Sequence, residues 1–205
     1  MGNELPRNTI LRLSQYRRLL EKYRYLDQPY VFSHDLARIL NLKSVNVRHD
    51  FMLLGITGDR RMGYNIHLLL EKINEKLGKD GVNIILIGLG RLGESVLSYL
   101  EDSSSYLKVS AIFEIDPSKI GTSHNEIDCF SITELTAFVK RGGITTAILA
   151  VPQEDVNDIL PIMLDAGIKG ILNYSPEQLN VPDEVIVRNV DIISSLEEIN
   201  YSLSG

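Results

Sequence analysis

Three glycines at close spacing, with a carboxylate about twenty residues further on, form the stretch of this chain best suited to chemistry. They are Gly88, Gly90 and Gly93, in the segment 82–93, VNIILIGLGRLG. The apolar run before them (Val82, Ile84, Ile85, Leu86, Ile87) reads as a strand buried on both faces, and Leu92 to Leu100 continues as a helix. Between a strand and a helix, Gly88 permits a tight turn, Gly90 lets a backbone approach a pyrophosphate, and Gly93 lets helix and strand pack closely. The start of the helix turns free N–H groups and a partial positive charge toward phosphates. The next apolar run, Leu107 to Phe113, ends at Glu114, where a carboxylate accepts ribose hydroxyls; Asp116 is the alternative acid. A carboxylate there repels a 2′-phosphate, so the pattern predicts NAD(H) rather than NADP(H).

A second group of polar residues lies far from the first. Ser44 stands at the start of a ten-residue stretch, Val45 to Leu54, in which Val47, Phe51 and Leu54 fall on one helical face. Asn46, Arg48, His49 and Met52 are left on the other. Amide, guanidinium and imidazole groups on one helix face can hydrogen-bond base edges or phosphates in a major groove. Arg60 and Arg61 follow, between Gly55, Gly58 and Gly63, and suit the tip of a β-hairpin wing that reaches phosphates or a minor groove.

The elements that must position these groups can be read in order. Ile10, Leu13, Tyr16, Leu19, Leu20 and Tyr23 mark the apolar stripe of a first helix, with Arg12, Arg17, Arg18, Lys22 and Arg24 on its surface. Ser33 is expected to cap a short helix from His34 to Leu40, with Leu36, Ile39 and Leu40 inward. Asn41-Leu42-Lys43 makes a turn, and Ser44 is expected to cap the third helix. This is a helix-turn-helix arrangement. Asn65 caps a fourth helix, Ile66 to Leu77, which Gly78 ends. Gly78 to Gly81 is a short domain boundary, and Asp102 to Ser105 a polar loop.

Past the second strand, residues 119–128 read as an irregular surface segment, and Ser131-Ile-Thr-Glu134 as a capping box that opens a helix to about Lys140. Thr145 to Ala150, Ile168 to Asn173 and Val185 to Val190 are further strands. Asp155 to Ala166 is a helix with an irregularity at Pro161, and Asp191 to Leu203 is a closing helix. Strands alternating with helices predict an α/β protein: an N-terminal winged helix-turn-helix (1–78), a Rossmann-like doubly wound parallel sheet (82–190), and a C-terminal helix (191–205). Ligands lie at the carboxyl ends of such strands, which makes Val151-Pro152, Asn173-Tyr174-Ser175 and Asn189 to Asp191 pocket candidates beside the glycines and Glu114.

Charge separates the two parts. Residues 1–79 carry 14 Lys and Arg against 8 Asp and Glu, whereas residues 80–205 carry 7 against 19. A basic module on an acidic body binds phosphates locally while the body resists non-specific contact. The single cysteine, Cys129, cannot form an intrachain disulfide and reads as a small buried thiol, which with the lack of a secretory signal or bilayer-spanning run predicts a cytoplasmic protein. Catalytic residues are not expected. His34, His49 and His67 lie in the basic module and His124 follows a loop remote from the strand ends. There is no Ser/His/Asp set and no metal-ligand cluster, and only Tyr99 or Asp191 offers itself as a hydride-transfer base.

Taken in order, the motifs resemble the Rex family of redox-sensing transcriptional repressors over nearly the full length. They are Val47-Arg48-His49-Asp50, Gly63-Tyr64, Gly88-Leu89-Gly90-Arg91-Leu92-Gly93, Val151-Pro152, the run Ala166 to Asn173, and Arg188-Asn189-Val190-Asp191. The resemblance implies a homodimer that holds palindromic double-stranded operator DNA when NADH is low and leaves it when NADH binds. From the residue patterns above, cofactor contacts are expected at Gly88, Leu89, Gly90, Arg91, Leu92, Gly93, Glu114, Val151, Pro152 and Asn173, to which the resemblance adds Tyr99, and DNA contacts are expected at Ser44, Asn46, Arg48, His49, Arg60 and Arg61. The resemblance also implies a C-terminal helix that crosses to the partner subunit, and a redox latch in which Arg18 pairs with Asp191 across the dimer beside Tyr99. No metal and no membrane are implied. Asn46, His49, Arg60-Arg61 and Met52-Leu53-Leu54 depart from the usual family residues, so the operator is expected to differ from the family's; Glu114 replaces a commoner aspartate. The competing readings are an NAD-dependent dehydrogenase with an added N-terminal domain, a regulator that binds CoA or another nucleotide on the same type of sheet, and a nucleotide-stabilised dimerisation protein without DNA binding, which the basic N-terminal module disfavours.

Overall fold

The computed structural model describes residues 5–78, 81–103 and 106–204, and the chain divides into two compact units, Met1–Asp80 and Gly81–Gly205. Lys79 and Asp80 of the expected boundary, and Ser104 and Ser105 of the expected loop, lie outside the described residues.

The N-terminal unit runs α1 (Arg7–Tyr25), β1 (Tyr30–Val31), α2 (Ser33–Ile39), α3 (Ser44–Leu53), β2 (Tyr64–Asn65) and α4 (Ile66–Leu77). Leu13, Tyr16 and Leu20 of α1 meet Leu36 of α2, Val47 and Phe51 of α3, and Leu69 and Ile73 of α4 in one core. The Phe51 ring sits edge-on to Tyr16 and to Tyr64, with centroids 5.4 and 4.8 Å away. Asn41, at φ 52°, turns the chain between α2 and α3, and the Asn65 side chain caps α4 by accepting from Leu68 N–H at 3.0 Å. Gly63, at φ +87°, is required where it stands: a Cβ there would lie 2.5 Å from the Val31 carbonyl oxygen across the β1·β2 pair.

Several expectations for this unit need correction. Ile10 is exposed, and Thr9 takes its place on the buried face of α1. Ile39 is likewise exposed. Ser33 and Ser44 are the first residues of their helices rather than side-chain caps; Phe32 and Lys43 hold the cap positions without a side-chain hydrogen bond. The wing is a tight loop closed by a single antiparallel bridge, Asp59 to Gly63, rather than a regular hairpin. Asp59 Oδ1 accepts from the Met62 and Arg61 backbone N–H groups (2.8 and 2.6 Å), and those bonds hold its carboxyl below the usual range.

Arg12, expected on the surface, instead enters the core. Its Nε and Nη2 donate to the two carboxylate oxygens of Asp50, each at 2.6 Å. Asp50 is fully buried on the inner face of α3 and also accepts from the Tyr16 hydroxyl at 2.8 Å. A buried carboxylate is costly unless paired and hydrogen-bonded. Here the pairing fixes α3 against α1. Burial first, and then the bond to Asp50, hold the Tyr16 hydroxyl in its protonated form. An unfolded tyrosine ionises near pH ~10. The raised native pKa therefore contributes stability that is complete below pH ~10 and is lost as pH rises above it. Replacing Tyr16 by Phe should cost about 1.5–3 kcal/mol near neutrality, the usual worth of a hydrogen bond to a charged group. That deficit should narrow in urea titrations carried from pH ~8 to pH ~11, because only the wild type carries the titrating group; a constant deficit would show the hydroxyl to be unperturbed.

The second unit runs β3 (Val82–Ile87), α5 (Arg91–Ser103), β4 (Leu107–Glu114), β5 (Ser123–His124), β6 (Ile127–Ser131), a single 3₁₀ turn (Ile132–Glu134), α6 (Leu135–Gly142), β7 (Thr146–Leu149), α7 (Gln153–Ala166), β8 (Gly170–Asn173), β9 (Ile186–Asn189) and α8 (Ile192–Leu203). The sheet order is β5-β6-β4-β3-β7-β8-β9. All neighbouring pairs from β6 to β9 are parallel, and β5 adds an antiparallel edge. The parallel strands thus follow the dinucleotide-fold order, which reverses direction at β3. The reading of residues 119–128 as irregular missed the β5–β6 hairpin, and α5 extends to Ser103, past the start of the expected loop.

Alternate residues of each strand feed opposite faces. Ile85, Ile87, Ala147 and Leu149 pack under α6 and α7, while Ile84, Leu86 and Ile148 join Val96 and Leu97 of α5. The capping box at Ser131 and Glu134 is present and opens the 3₁₀ turn ahead of α6. Pro161 lies inside α7 without ending it. Cys129 is buried, and burial pushes its thiol pKa up. The last helix departs from the rest: α8 buries none of its residues.

Candidate functional site

The three glycines have distinct geometric roles. Gly88 follows β3 at φ +90°, and a Cβ there would sit 2.6 Å from the Ala150 carbonyl oxygen. A Cβ on Gly93 would collide with the Gly88 carbonyl, so that glycine lets α5 lie directly over the turn. At Gly90 a Cβ would meet nothing within 4 Å. The first leaves room for the turn, the last for the helix, and the middle one for something that the chain itself does not supply.

The space in front of Gly90 is a cleft of about 230 Å³ at the carboxyl ends of β3, β4 and β7. Gly88, Gly90, Glu114, Val151 and Pro152 line it, as does the alternative acid Asp116, whose carboxyl is held below its usual range by bonds from Ser118. The first N–H groups of a helix have no intrahelical acceptor, and those of α5, at Arg91 and Leu92, follow directly on Gly90. Glu114 is 8 % exposed and does more than face the cleft. One of its oxygens accepts from Leu89 N–H at 2.8 Å, and the other from Ile115 and Asp116 N–H at 2.7 and 3.2 Å. Lys119, which the sequence reading passed over, completes this arrangement by donating to the Leu89 carbonyl at 2.9 Å. An open cradle at Gly90, helix N–H groups and a carboxylate at the end of β4 fit a dinucleotide.

Other expected cofactor residues stand elsewhere. The Leu89 side chain is fully buried in the core, so only its peptide serves the loop. Asn173 is fully buried too. Its Nδ2 donates to Glu177 O and Asn189 Oδ1, both at 2.9 Å, and its Oδ1 accepts from Ser175 N–H at 3.0 Å. It clamps the ends of β8 and β9 and turns no polar atom to the cleft. Tyr99, 66 % exposed on α5, is not among the cleft's lining residues.

On the N-terminal unit, Asn46, Arg48 and His49 are exposed together on α3, and the Ser44 hydroxyl accepts from Arg48 at 3.5 Å. Arg60 and Arg61 are exposed at the tip of the Asp59 loop. Arg18 is exposed on α1 and bonds to Ser14 at 3.1 Å. Asp191 is the side-chain cap of α8; the Ser194 hydroxyl and then its backbone N–H hold that carboxyl below its usual range. Among the described residues, no group of three or more His, Cys, Asp or Glu could hold a metal ion, and no helix is long and apolar enough to cross a membrane.

Comparison with known proteins follows the same division. A family model for a DNA-binding N-terminus matches residues 4–51, and one for a CoA binding domain matches residues 79–177. The redox-sensing transcriptional repressor Rex of Carboxydothermus hydrogenoformans is 35% identical over 203 residues, covering 98% of each chain. The chain belongs to the Rex family. The Rex of Listeria monocytogenes is 31% identical over 98% of this chain and 94% of its own. Among solved structures, the Rex-family repressor RSP in complex with β-NAD⁺ and operator DNA gives a TM-score of 0.83 at 30% identity, covering 98% of this chain and 94% of that one. RSP in complex with β-NADH gives 0.79 at 29% identity, with 98% and 95% covered. Membership of Rex makes the chain a redox-sensing transcriptional repressor and sets aside the dehydrogenase reading, since the relatives that carry the repressor name match it over nearly the full length of both chains.

Proposed function

We propose that this Rex protein is a cytoplasmic homodimer that holds a palindromic operator through α3 and the Asp59 loop, and releases it when NADH fills the cleft at Gly90. The observation that carries the reading is the presence, in one chain, of an exposed Asn46-Arg48-His49 face, an exposed Arg60-Arg61 pair and a cradle whose middle glycine opens onto empty space. In this scheme Gly88, Gly90 and Gly93 shape the phosphate turn, Glu114 meets the ribose, and Val151 and Pro152 form the opposite wall.

NADH and NAD⁺ differ by a hydride and by a positive charge on one ring. Arg18, Tyr99 and Asp191 are each exposed on their own unit and thus available to a second copy. A latch formed by Arg18 and Asp191 across the dimer, beside Tyr99, would bind that difference to two arrangements of the DNA-reading helices. Those helices must lie about 34–36 Å apart, or a multiple of it, to enter successive major grooves. The apolar side chains of α8, with Ile193 71 % exposed, support its exchange between copies. Reciprocity requires that operator DNA weaken NADH binding by the factor through which NADH weakens DNA binding.

The test is a titration of the full chain with an inverted-repeat operator fragment at fixed salt, in the presence of NADH or NAD⁺. NADH should abolish binding while NAD⁺ spares it, and Asp191→Ala should blunt the NADH effect. Tight NADH binding without any effect on DNA would overturn the sensor reading; an unchanged response in Asp191→Ala would remove the latch alone.

A further inference from the structure

Among the described residues that line the cleft, three carboxylates (Glu114, Asp116 and Asp155) face a single cation, Lys119. The Lys119 ammonium lies 3.8 Å from Glu114 Oε2 while it donates to the Leu89 carbonyl. Glu114 accepts from the N–H of Leu89 itself. The peptide unit on each side of Leu89 is therefore held, one by the carboxylate and the other by the ammonium. The Lys119 side chain is one-third exposed and lines the cleft.

A lone carboxylate at the end of β4 would present an undiminished negative charge to the 2′ position of a bound ribose. Here a fixed positive charge stands within 4 Å of it. A positive charge at such a separation offsets part of the carboxylate's field at the neighbouring ribose.

We infer that Lys119 is a specificity-determining residue: it sets how strongly the cleft rejects a 2′-phosphate, and it leaves the site able to bind NADPH as well as NADH, with weaker affinity for NADPH. The inference rests on the dinucleotide reading of the cleft. NADPH carries its extra phosphate next to Glu114, so removal of Lys119 weakens NADPH binding far more than NADH binding. A residue that merely braced the glycine turn would weaken both alike.

The experiment is a fluorescence titration of the full-length protein with NADH and with NADPH at one ionic strength, for wild type, Lys119→Met and Lys119→Arg, with melting temperatures recorded for each. Wild type should bind NADPH within about 100-fold of NADH, Lys119→Met should widen that ratio by about tenfold or more, and Lys119→Arg should restore it. An unchanged ratio in Lys119→Met, equal losses for both nucleotides, or no NADPH binding by a wild type that binds NADH would each overturn the inference. A wild type that binds neither nucleotide would overturn the dinucleotide reading itself.

Discussion

Replacing Asp50 by Ala should destabilise the N-terminal unit by about 3–5 kcal/mol, the usual cost of removing one partner from a buried ion pair. Both carboxylate oxygens are engaged by Arg12, and one also by Tyr16. The substitution leaves the Tyr16 hydroxyl unpaired in the core. Arg12 remains 20 % exposed, which lets its guanidinium partly rehydrate and places the expected value at the lower end of that range. A single buried charge costs more than none, so the double variant Arg12→Met/Asp50→Leu should recover much of the loss. Urea unfolding followed by circular dichroism gives both numbers. A loss below about 1 kcal/mol in Asp50→Ala would mean that the pair does not hold α3. Because Asn46, Arg48 and His49 stand on the same helix, operator affinity should fall in Asp50→Ala even at temperatures where the unit remains folded.

Gly90→Val should have the opposite profile: little effect on stability and a large effect on nucleotide binding. A Cβ at Gly90 meets only open space, so the free protein should melt within a few degrees of wild type. The same side chain fills the ground that a pyrophosphate must approach, and NADH affinity should fall by about 100-fold or more, equivalent to about 2.7 kcal/mol. Operator binding should persist and cease to respond to NADH. Gly93→Ala is the internal contrast, since its added carbon collides with the Gly88 carbonyl and should damage the fold itself. Undiminished NADH binding by Gly90→Val would show that the dinucleotide takes another route across the sheet.

The sheet, its glycine turn and the helix-turn-helix were legible because each depends on local pattern: an apolar run stopped by glycine, or inward residues at helical spacing. What the sequence withheld were long-range pairings. Asp50 falls on the inward face with Val47, Phe51 and Leu54, and a charge on that face demands a partner. Nothing local, however, names Arg12, 38 residues earlier, as that partner. Lys119 reaches back 30 residues to the Leu89 carbonyl, and no spacing rule selects it. Asn173 was drawn to the cleft by its place at a strand end, yet its amide satisfies three neighbours inside the sheet instead. The β5–β6 hairpin escaped because it turns through Asn125 and Glu126 at positive φ, without the glycine that marks such turns.

The bare face of α8 bears on the lifetime of the protein. Ile192, Ile193, Leu196, Ile199 and Leu203 are all more than half exposed on a single chain. Chaperones and proteases triage chains that expose apolar surface. In the pairing proposed above, a copy that has found its twin conceals this helix, while a newly made or surplus copy displays it. Cellular turnover would then fall on orphan subunits and spare complete assemblies.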